Sequence, residues 1–161
     1  MLTSGCNLFI ILKNNYNYKG LRMPNAERIT QIHNYYMNIA LLTSSLSYCC
    51  RLKVGAIAVK DGRIISTGYN GTPSGWDNFC EDDGGSTLPE VLHAESNMIA
   101  KLARSNESGK ACDIYMSHSP CIHCAKMLYQ MEVNAVYFHD FYRSKDGIEF
   151  LQKCNIPVTQ I

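Results

Sequence analysis

The spacing of apolar and polar residues predicts a helix and then a hairpin in the first half of the chain. Apolar positions recur at helical spacing from Ala26 to about Ser47. Two short runs rich in β-branched residues follow at 54–60 and 63–69. The Asp61-Gly62 pair between them is a strong signal for a tight hairpin turn. We therefore expect two antiparallel strands at this point.

Helical and strand patterns alternate in the second half of the chain. Helices are predicted at 91–104, 121–132 and 148–154, and strands at 111–117, 135–139 and 156–161. This alternation is typical of parallel strands joined by crossover helices. The sequence therefore predicts an α/β fold with three layers, α-β-α, in which a mixed five-stranded sheet carries helices on both faces.

Two segments fall outside this pattern. Residues 1–22 are rich in Asn and Tyr and show no periodicity, so we interpret them as a loose N-terminal arm or an upstream start. The folded domain is then 23–161. Residues 70–90 are rich in Gly and Pro, and a loop of that length in a small domain is usually functional.

Composition and charge narrow the class of protein. The chain has 161 residues, which fits one domain, and its formal net charge is +1. That balance is not the strong basic excess typical of proteins that hold nucleic acid, and no apolar run is long enough for a membrane span. We expect a cytoplasmic protein, in the host cytoplasm if viral, with its eight cysteines reduced.

Two short motifs contain residues that bind zinc. The first is His93-Ala94-Glu95 and the second is Pro120-Cys121-Ile122-His123-Cys124, and each opens a predicted helix. One imidazole (His93) and two thiolates (Cys121 and Cys124) fill three of the four tetrahedral positions of Zn²⁺. The fourth position is then free for water, which is typical of a catalytic site.

Glu95 is placed to transfer protons beside such a metal. It lies two positions from His93, and a carboxylate beside zinc-activated water can accept a proton and pass it on. The combination H-x-E with P-C-x-x-C is the signature of zinc deaminases. The alternatives are a redox C-x-x-C pair and a closed structural zinc site with His118, His123 or Cys112 as the fourth ligand.

The chain resembles the deoxycytidylate (dCMP) deaminases of phage and bacteria, within the zinc-dependent cytidine deaminase superfamily. The resemblance extends from about Asn25 to Ile161 and rests on four segments, 49–56, 68–73, 93–97 and 119–124. It implies a cytidine-deaminase-like fold and hydrolysis of dCMP to dUMP and ammonia. It also implies that the product supplies thymidylate synthesis.

The resemblance implies roles for individual residues in the reaction. Water activated by zinc would attack C4 of cytosine while Glu95 protonates N3 and then the leaving ammonia. The backbone of Ala94 and Ser119 would contact the base. Asn70 would hydrogen-bond the sugar or the phosphate edge, unless it serves only as a turn residue in Asn-Gly.

A monophosphate substrate requires cationic side chains. Arg51 precedes the first strand, and Tyr142 and Arg143 follow the fourth. Ligands of open α/β sheets bind outside the carboxyl ends of parallel strands, which favours Arg143. Basic residues at these two places contact the 5′-phosphate in similar family members. The alternative is that each arginine is an ordinary solvated surface charge.

The resemblance also implies a homohexamer that dCTP activates and dTTP inhibits, with Mg²⁺ bound to the regulatory triphosphate. Arg104 lies where some phage members have a basic residue tied to regulation, although a cation at a helix C-terminus is an equal interpretation. Some phage enzymes hold a second zinc with cysteines near Cys49 and Cys80. We expect none here, because a single cysteine stands where those enzymes have a pair.

Three other functions remain open from the sequence. They are deamination of dCTP, deamination of cytosine in a polynucleotide, and binding without catalysis by a zinc-stabilised protein of the same fold. The near-neutral charge weighs against a polynucleotide substrate, because binding to phosphates requires clustered Lys and Arg. A binding protein would have no need of Glu95. We expect no membrane contact and no stable nucleic-acid complex.

Overall fold

A computed structural model describes residues 25–161, and the predicted N-terminal arm lies outside this range. The helices are α1 (Ala26–Ser44), α2 (Ala94–Leu102), α3 (Ile122–Gln130) and α4 (Asp146–Lys153). The strands are β1 (Gly55–Lys60), β2 (Arg63–Tyr69), β3 (Asp113–His118), β4 (Ala135–Asp140) and β5 (Val158–Gln160). The predicted order of helices and strands is confirmed.

All five strands form one sheet in the order β2-β1-β3-β4-β5. Strand β1 is antiparallel to both of its neighbours, β2 and β3. Strands β3, β4 and β5 pair in parallel, as the alternating pattern predicts. Strands β2 to β5 therefore run in one direction, and their carboxyl ends lie along the same edge of the sheet.

The sheet is covered on both faces, which confirms the three-layer prediction. Helix α1 packs on one face, where Met37 and Ala40 lie against Ile57 and the stacked rings of Tyr115 and Tyr137. Helices α2, α3 and α4 cover the other face with the buried side chains Met98, Leu128 and Leu151. No helix within residues 25–161 has the length and apolarity that a membrane crossing needs.

The predicted helix start at Val91 is wrong, because α2 begins at Ala94 with His93 as its N-cap. Leu92 instead pairs with Gly71 through two backbone hydrogen bonds of 2.9 and 3.1 Å. This short extended pairing ties the long loop to the segment before the helix. The other bounds differ from the predictions by no more than three residues.

Helix α2 lies unusually close to β2. A Cβ atom at Gly68 would clash with the carbonyl oxygen of Ala94 and the backbone nitrogen of Met98. Glycine therefore allows the backbone of α2 to approach the strand directly. This contact sets the depth at which the first turn of α2, which carries Glu95, sits above the sheet.

Gly68→Ala should destabilise the fold by about 1–3 kcal/mol, because the added methyl group overpacks a backbone contact. Thermal and urea unfolding measure the change. Gly71→Ala is the control, because a Cβ atom there meets nothing within 4 Å. Equal stability of the two variants would contradict the close approach of α2 and β2.

Candidate active site

The predicted zinc ligands lie at the N-termini of two helices. His93 is the N-cap of α2 and Cys121 is the N-cap of α3, and both have extended backbone angles. Neither side chain makes a capping hydrogen bond, so both are free to face each other. Cys124 follows in the first turn of α3 and is buried. Helix N-termini carry partial positive charge, which stabilises thiolates.

The three ligand atoms form a compact group that fits zinc. His93 Nδ1 lies 3.6 Å from Cys121 Sγ and 3.5 Å from Cys124 Sγ. A tetrahedral zinc, with bonds of about 2.3 Å to sulfur and about 2.0–2.1 Å to nitrogen, separates nitrogen from sulfur by about 3.6 Å. All three ligand atoms lie within 4.8 Å of one another. The spacing therefore suits one ion held through Nδ1 of the histidine.

Within residues 25–161, the metal-binding group comprises these three side chains and no fourth. The alternatives for a closed site lie elsewhere. His123 is exposed on α3, and Cys112 is fully buried in the core beside β3. His118 directs Nδ1 to Ser117 Oγ at 3.1 Å. This arrangement favours a three-ligand site with one position open.

The pKa values of the three candidate ligands shift in different directions. A hydrogen bond from the Cys124 thiol, aided by His93, lowers the pKa of Cys121 to about 3. The same contact, with burial, raises the pKa of Cys124, and hydrogen bonding to Cys121 raises the pKa of His93. A divalent cation would displace these protons, because coordination requires thiolates and a neutral imidazole.

Glu95 lies beside the ligand group and is only 4% exposed. Burial raises the pKa of Glu95, while the charge of His93 and a hydrogen bond with Cys124 act in the opposite direction. A carboxyl group with a raised pKa holds a proton more readily than an exposed one, which suits a group that must accept a proton and release it again. Glu95 therefore has the surroundings expected of a general acid and base.

One cleft brings together the predicted substrate residues and the metal group. It lies where β2, β3 and β4 end and where the chain enters β1. Its lining includes the predicted residues Arg51, Asn70, His93, Ala94, Glu95, Ser119, Cys121, Tyr142 and Arg143. Cys124 is buried behind this surface. Arg104 lies elsewhere, exposed in the turn just beyond the C-cap of α2, so its predicted regulatory role stays a prediction.

Asn70 has a structural role as well as a place in the cleft. Its Oδ1 accepts a hydrogen bond from the backbone N–H of Val54 at 2.7 Å. Its Nδ2 donates to the carbonyl of Leu52 at 2.8 Å. The amide therefore fixes the entry to β1, and its second N–H is left for the predicted contact with a ligand.

Ser119 joins the loop after β3 to the loop after β4. Its N–H donates to the carbonyl of Asp140, and its Oγ accepts from the N–H of Tyr142, both at 2.8 Å. The Arg143 guanidinium lies 5.7 Å from the centre of the Tyr142 ring. These hydrogen bonds attach the loop after β4, which carries Tyr142 and Arg143, to the loop after β3, which leads to Cys121.

Several cleft residues were not identified from the sequence, namely Leu52, Val54, Glu81, Thr87, Val91 and His118 as a lining residue. The length of the 70–90 loop was the only signal for Glu81 and Thr87. The loop's aromatic residues lie outside the lining, and Trp76 and Phe79 are 60% and 74% exposed. Burial, with a hydrogen bond to Cys49, raises the pKa of Cys80 to about 12. The expectation of no second zinc at this cysteine pair stays a prediction.

Comparison with known proteins decides the family. Residues 30–140 match the family model described as the cytidine and deoxycytidylate deaminase zinc-binding region. The chain belongs to this deaminase family. The matched region contains Glu95 and the cluster of His93, Cys121 and Cys124, and the protein is a deaminase, a hydrolytic enzyme.

Individual relatives agree with this assignment. The deaminase is 34% identical to the deoxycytidylate deaminase of Enterobacteria phage T4, over 78% of this chain and 87% of that one. It is 32% identical to ComE operon protein 2 of Bacillus subtilis, over 84% of this chain and 73% of that one. The crystal structure of cyanophage S-TIM5 dCMP deaminase with dCMP and dUMP superposes with a TM-score of 0.80 at 47% identity. That match covers 81% of this chain and 97% of the other, and it confirms the predicted fold.

Cys124→Ser should abolish stoichiometric zinc binding by the deaminase, because a serine hydroxyl replaces one of two thiolates. Metal analysis of the purified protein measures the loss. Cys154→Ser is the control, since Cys154 is a free cysteine at the C-cap of α4 and belongs neither to the metal group nor to the cleft lining. One zinc per chain retained in Cys124→Ser would contradict the ligand assignment.

Proposed function

We propose that this deaminase hydrolyses dCMP to dUMP and ammonia, and so supplies dUMP for thymidylate synthesis. One observation carries the proposal. The cationic side chains Arg51 and Arg143 open into the same cleft as Glu95 and the zinc ligands. A dCMP molecule with its base against Glu95 would therefore extend its 5′-phosphate toward two guanidinium groups. The named activities of the phage relatives support the same substrate.

Glu95 moves the protons in the proposed reaction. Zinc held by His93, Cys121 and Cys124 would act as a Lewis acid that brings the pKa of a water molecule toward neutrality. As a water molecule attacks C4, Glu95 would take a proton from it and deliver that proton to N3 of the base. Glu95 then takes the second proton and passes it to the exocyclic nitrogen, which leaves as ammonia. The carbonyl of uracil remains at C4.

The base is oriented by backbone and amide groups around Glu95. The N–H of Ala94 lies in the first turn of α2, where helical N–H groups have no intrahelical acceptor. Together with the backbone of Ser119 it borders the part of the cleft nearest the zinc ligands. The second N–H of Asn70 serves the sugar or the phosphate edge. These contacts hold C4 toward the metal group.

The phosphate lies at the outer part of the cleft. A second concavity adjoins it there and is lined by Arg51, Leu52, His118, Phe141, Tyr142 and Arg143. Guanidinium groups bind phosphate oxygens in pairs of parallel hydrogen bonds, and a tyrosine hydroxyl adds a further donor. This part of the cleft therefore matches a monophosphate dianion.

The regulatory part of the proposal rests on the family resemblance. It comprises a homohexamer in the cytoplasm, activation by dCTP, inhibition by dTTP, and Mg²⁺ on the triphosphate. Arg104 is its predicted contact. Helix α2 connects the two places, because Glu95 lies in its first turn and Arg104 lies just beyond its C-cap. An effector bound there would act on the active site through the helix itself.

Glu95→Gln should lower kcat for dCMP by about 10²–10⁴-fold, because the amide cannot shuttle the proton. Loss of the cytosine absorbance of dCMP measures the rate, and metal analysis verifies that zinc is retained. Glu90→Gln is the control, since Glu90 precedes the active-site helix and lies outside the cleft lining. Undiminished turnover of dCMP by Glu95→Gln would contradict the proposed role of Glu95 in proton transfer.

Arg143→Ala should raise KM for dCMP by about tenfold or more, with little effect on deoxycytidine, because a charged hydrogen bond to phosphate is lost. The assay compares kcat and KM for deoxycytidine, dCMP and dCTP, with a cytosine oligonucleotide as a fourth substrate. Lys126→Ala, a change at an exposed cation on α3, is the control. Equal losses on deoxycytidine and dCMP would argue against a phosphate contact, and faster turnover of dCTP would replace the proposed substrate.

A further inference from the structure

Part of the long loop between β2 and α2 folds into a small hairpin, residues 80–88. The N–H of Leu88 donates to the carbonyl of Cys80, and the N–H of Asp82 to the carbonyl of Ser86, both at 2.9 Å. Glu81 and Thr87 are directly paired across the two arms. Cross-strand partners project from the same face of a pair of strands. Their side chains therefore stand next to each other.

Both side chains contact the segment that carries Arg51. The Glu81 carboxylate accepts hydrogen bonds from the N–H of Cys50, at 3.1 Å to Oε1 and 3.2 Å to Oε2. It also accepts from the N–H of Arg51 at 3.2 Å. Successive N–H groups of this kind form a concavity that binds anions, and here the protein's own carboxylate fills it.

The other end of Arg51 is held by the second member of the pair. Thr87 Oγ1 accepts a hydrogen bond from Arg51 Nη1 at 3.1 Å. The hairpin 80–88 thus fixes the backbone of Arg51 with Glu81 and the guanidinium with Thr87. A guanidinium has five N–H donors, so four remain for a ligand in the cleft.

The base of the hairpin is anchored in the core. Cys80 and Cys49 are each 2% exposed and lie within hydrogen-bonding reach of one another. Cys49 directly precedes Cys50 and Arg51. The segment 49–51 therefore contacts the hairpin at Cys80 as well as at Glu81 and Thr87. The hairpin is therefore joined to the 49–51 segment both at the core and at the cleft.

We propose that Glu81 and Thr87 are positioning residues that pre-orient Arg51 for the phosphate of the substrate. An arginine side chain has many rotamers, and fixing it before binding reduces the entropy lost when the complex forms. The inference rests on the proposed function, because it takes Arg51 as a phosphate contact. It adds that the long loop 70–90 affects binding of the substrate phosphate through Arg51.

Thr87→Val tests the proposal, since it keeps the shape of the side chain and removes the hydroxyl. KM for dCMP should rise about threefold to tenfold, because a hydrogen bond to a charged group is lost. The value of kcat for dCMP and both constants for deoxycytidine should stay unchanged. Thr87→Ser should restore KM, and Ser86→Ala, at the exposed neighbour, should leave it unchanged. A parallel rise of KM for deoxycytidine would overturn the proposal.

A double-mutant cycle separates positioning from general loosening of the loop. With Arg51→Ala already present, Thr87→Val should add nothing, because the side chain that it orients is gone. Glu81→Gln should raise KM for dCMP more than Asp83→Asn, which removes a charge at the exposed turn of the same hairpin. Additive losses for Arg51→Ala and Thr87→Val would reject a positioning role.

Binding measured by calorimetry keeps this test independent of turnover. Wild type should bind dUMP more tightly than deoxyuridine, and Thr87→Val should narrow that ratio threefold or more. If wild type does not deaminate dCMP, the proposed function is wrong. The ratio of dUMP affinity to deoxyuridine affinity still tests the role of the hairpin in that case. Equal binding of dUMP and deoxyuridine by wild type, or a ratio unchanged in Thr87→Val, would overturn the inference.

Discussion

The meeting of two helix N-termini at one edge of the sheet determines the rest of the site. Helices α2 and α3 each begin with a candidate metal-ligand side chain at the N-cap position, and the two side chains face each other across a few ångströms. Each helix contributes partial positive charge where negative sulfur must be held. The same first turns carry Glu95 and Cys124. The candidate metal ligands and Glu95 therefore lie at the start of the same two helices.

Close backbone packing keeps these supports in place. Gly68 lets α2 lie directly on β2. Gly147 does the same for α4, because a Cβ atom there would clash with the carbonyl of Pro120 and the backbone of Cys121. Ser119 then ties the cysteine loop to the loop after β4. Glycines and hydrogen bonds between loops thus fix the positions of the candidate site residues.

The cleft has two chemically different parts. Near the metal group Glu95 is buried, and this burial raises the pKa of its carboxyl group. Farther out, Arg51 and Arg143 supply positive charge on opposite loops. The long loop contacts Arg51 in this outer part through the hairpin 80–88, whereas the aromatic residues of the loop do not line the cleft. The proposed proton transfer and the proposed phosphate binding would therefore take place in different parts of one pocket.

The sequence by itself determined the order of elements and the Asp61-Gly62 turn, because each depends on local spacing, and it predicted the zinc ligands and Glu95 from their side-chain chemistry. It also indicated the arginines, since strand ends in an α/β sheet meet at one edge. Tertiary structure decided how the 70–90 loop folds, why α2 starts at Ala94, and that Asn70 fixes the entry to β1. Those features arise from hydrogen bonds between residues far apart in the chain, such as Glu81 with Arg51 and Leu92 with Gly71. Local periodicity carries no information about such pairs, so only the folded chain reveals them.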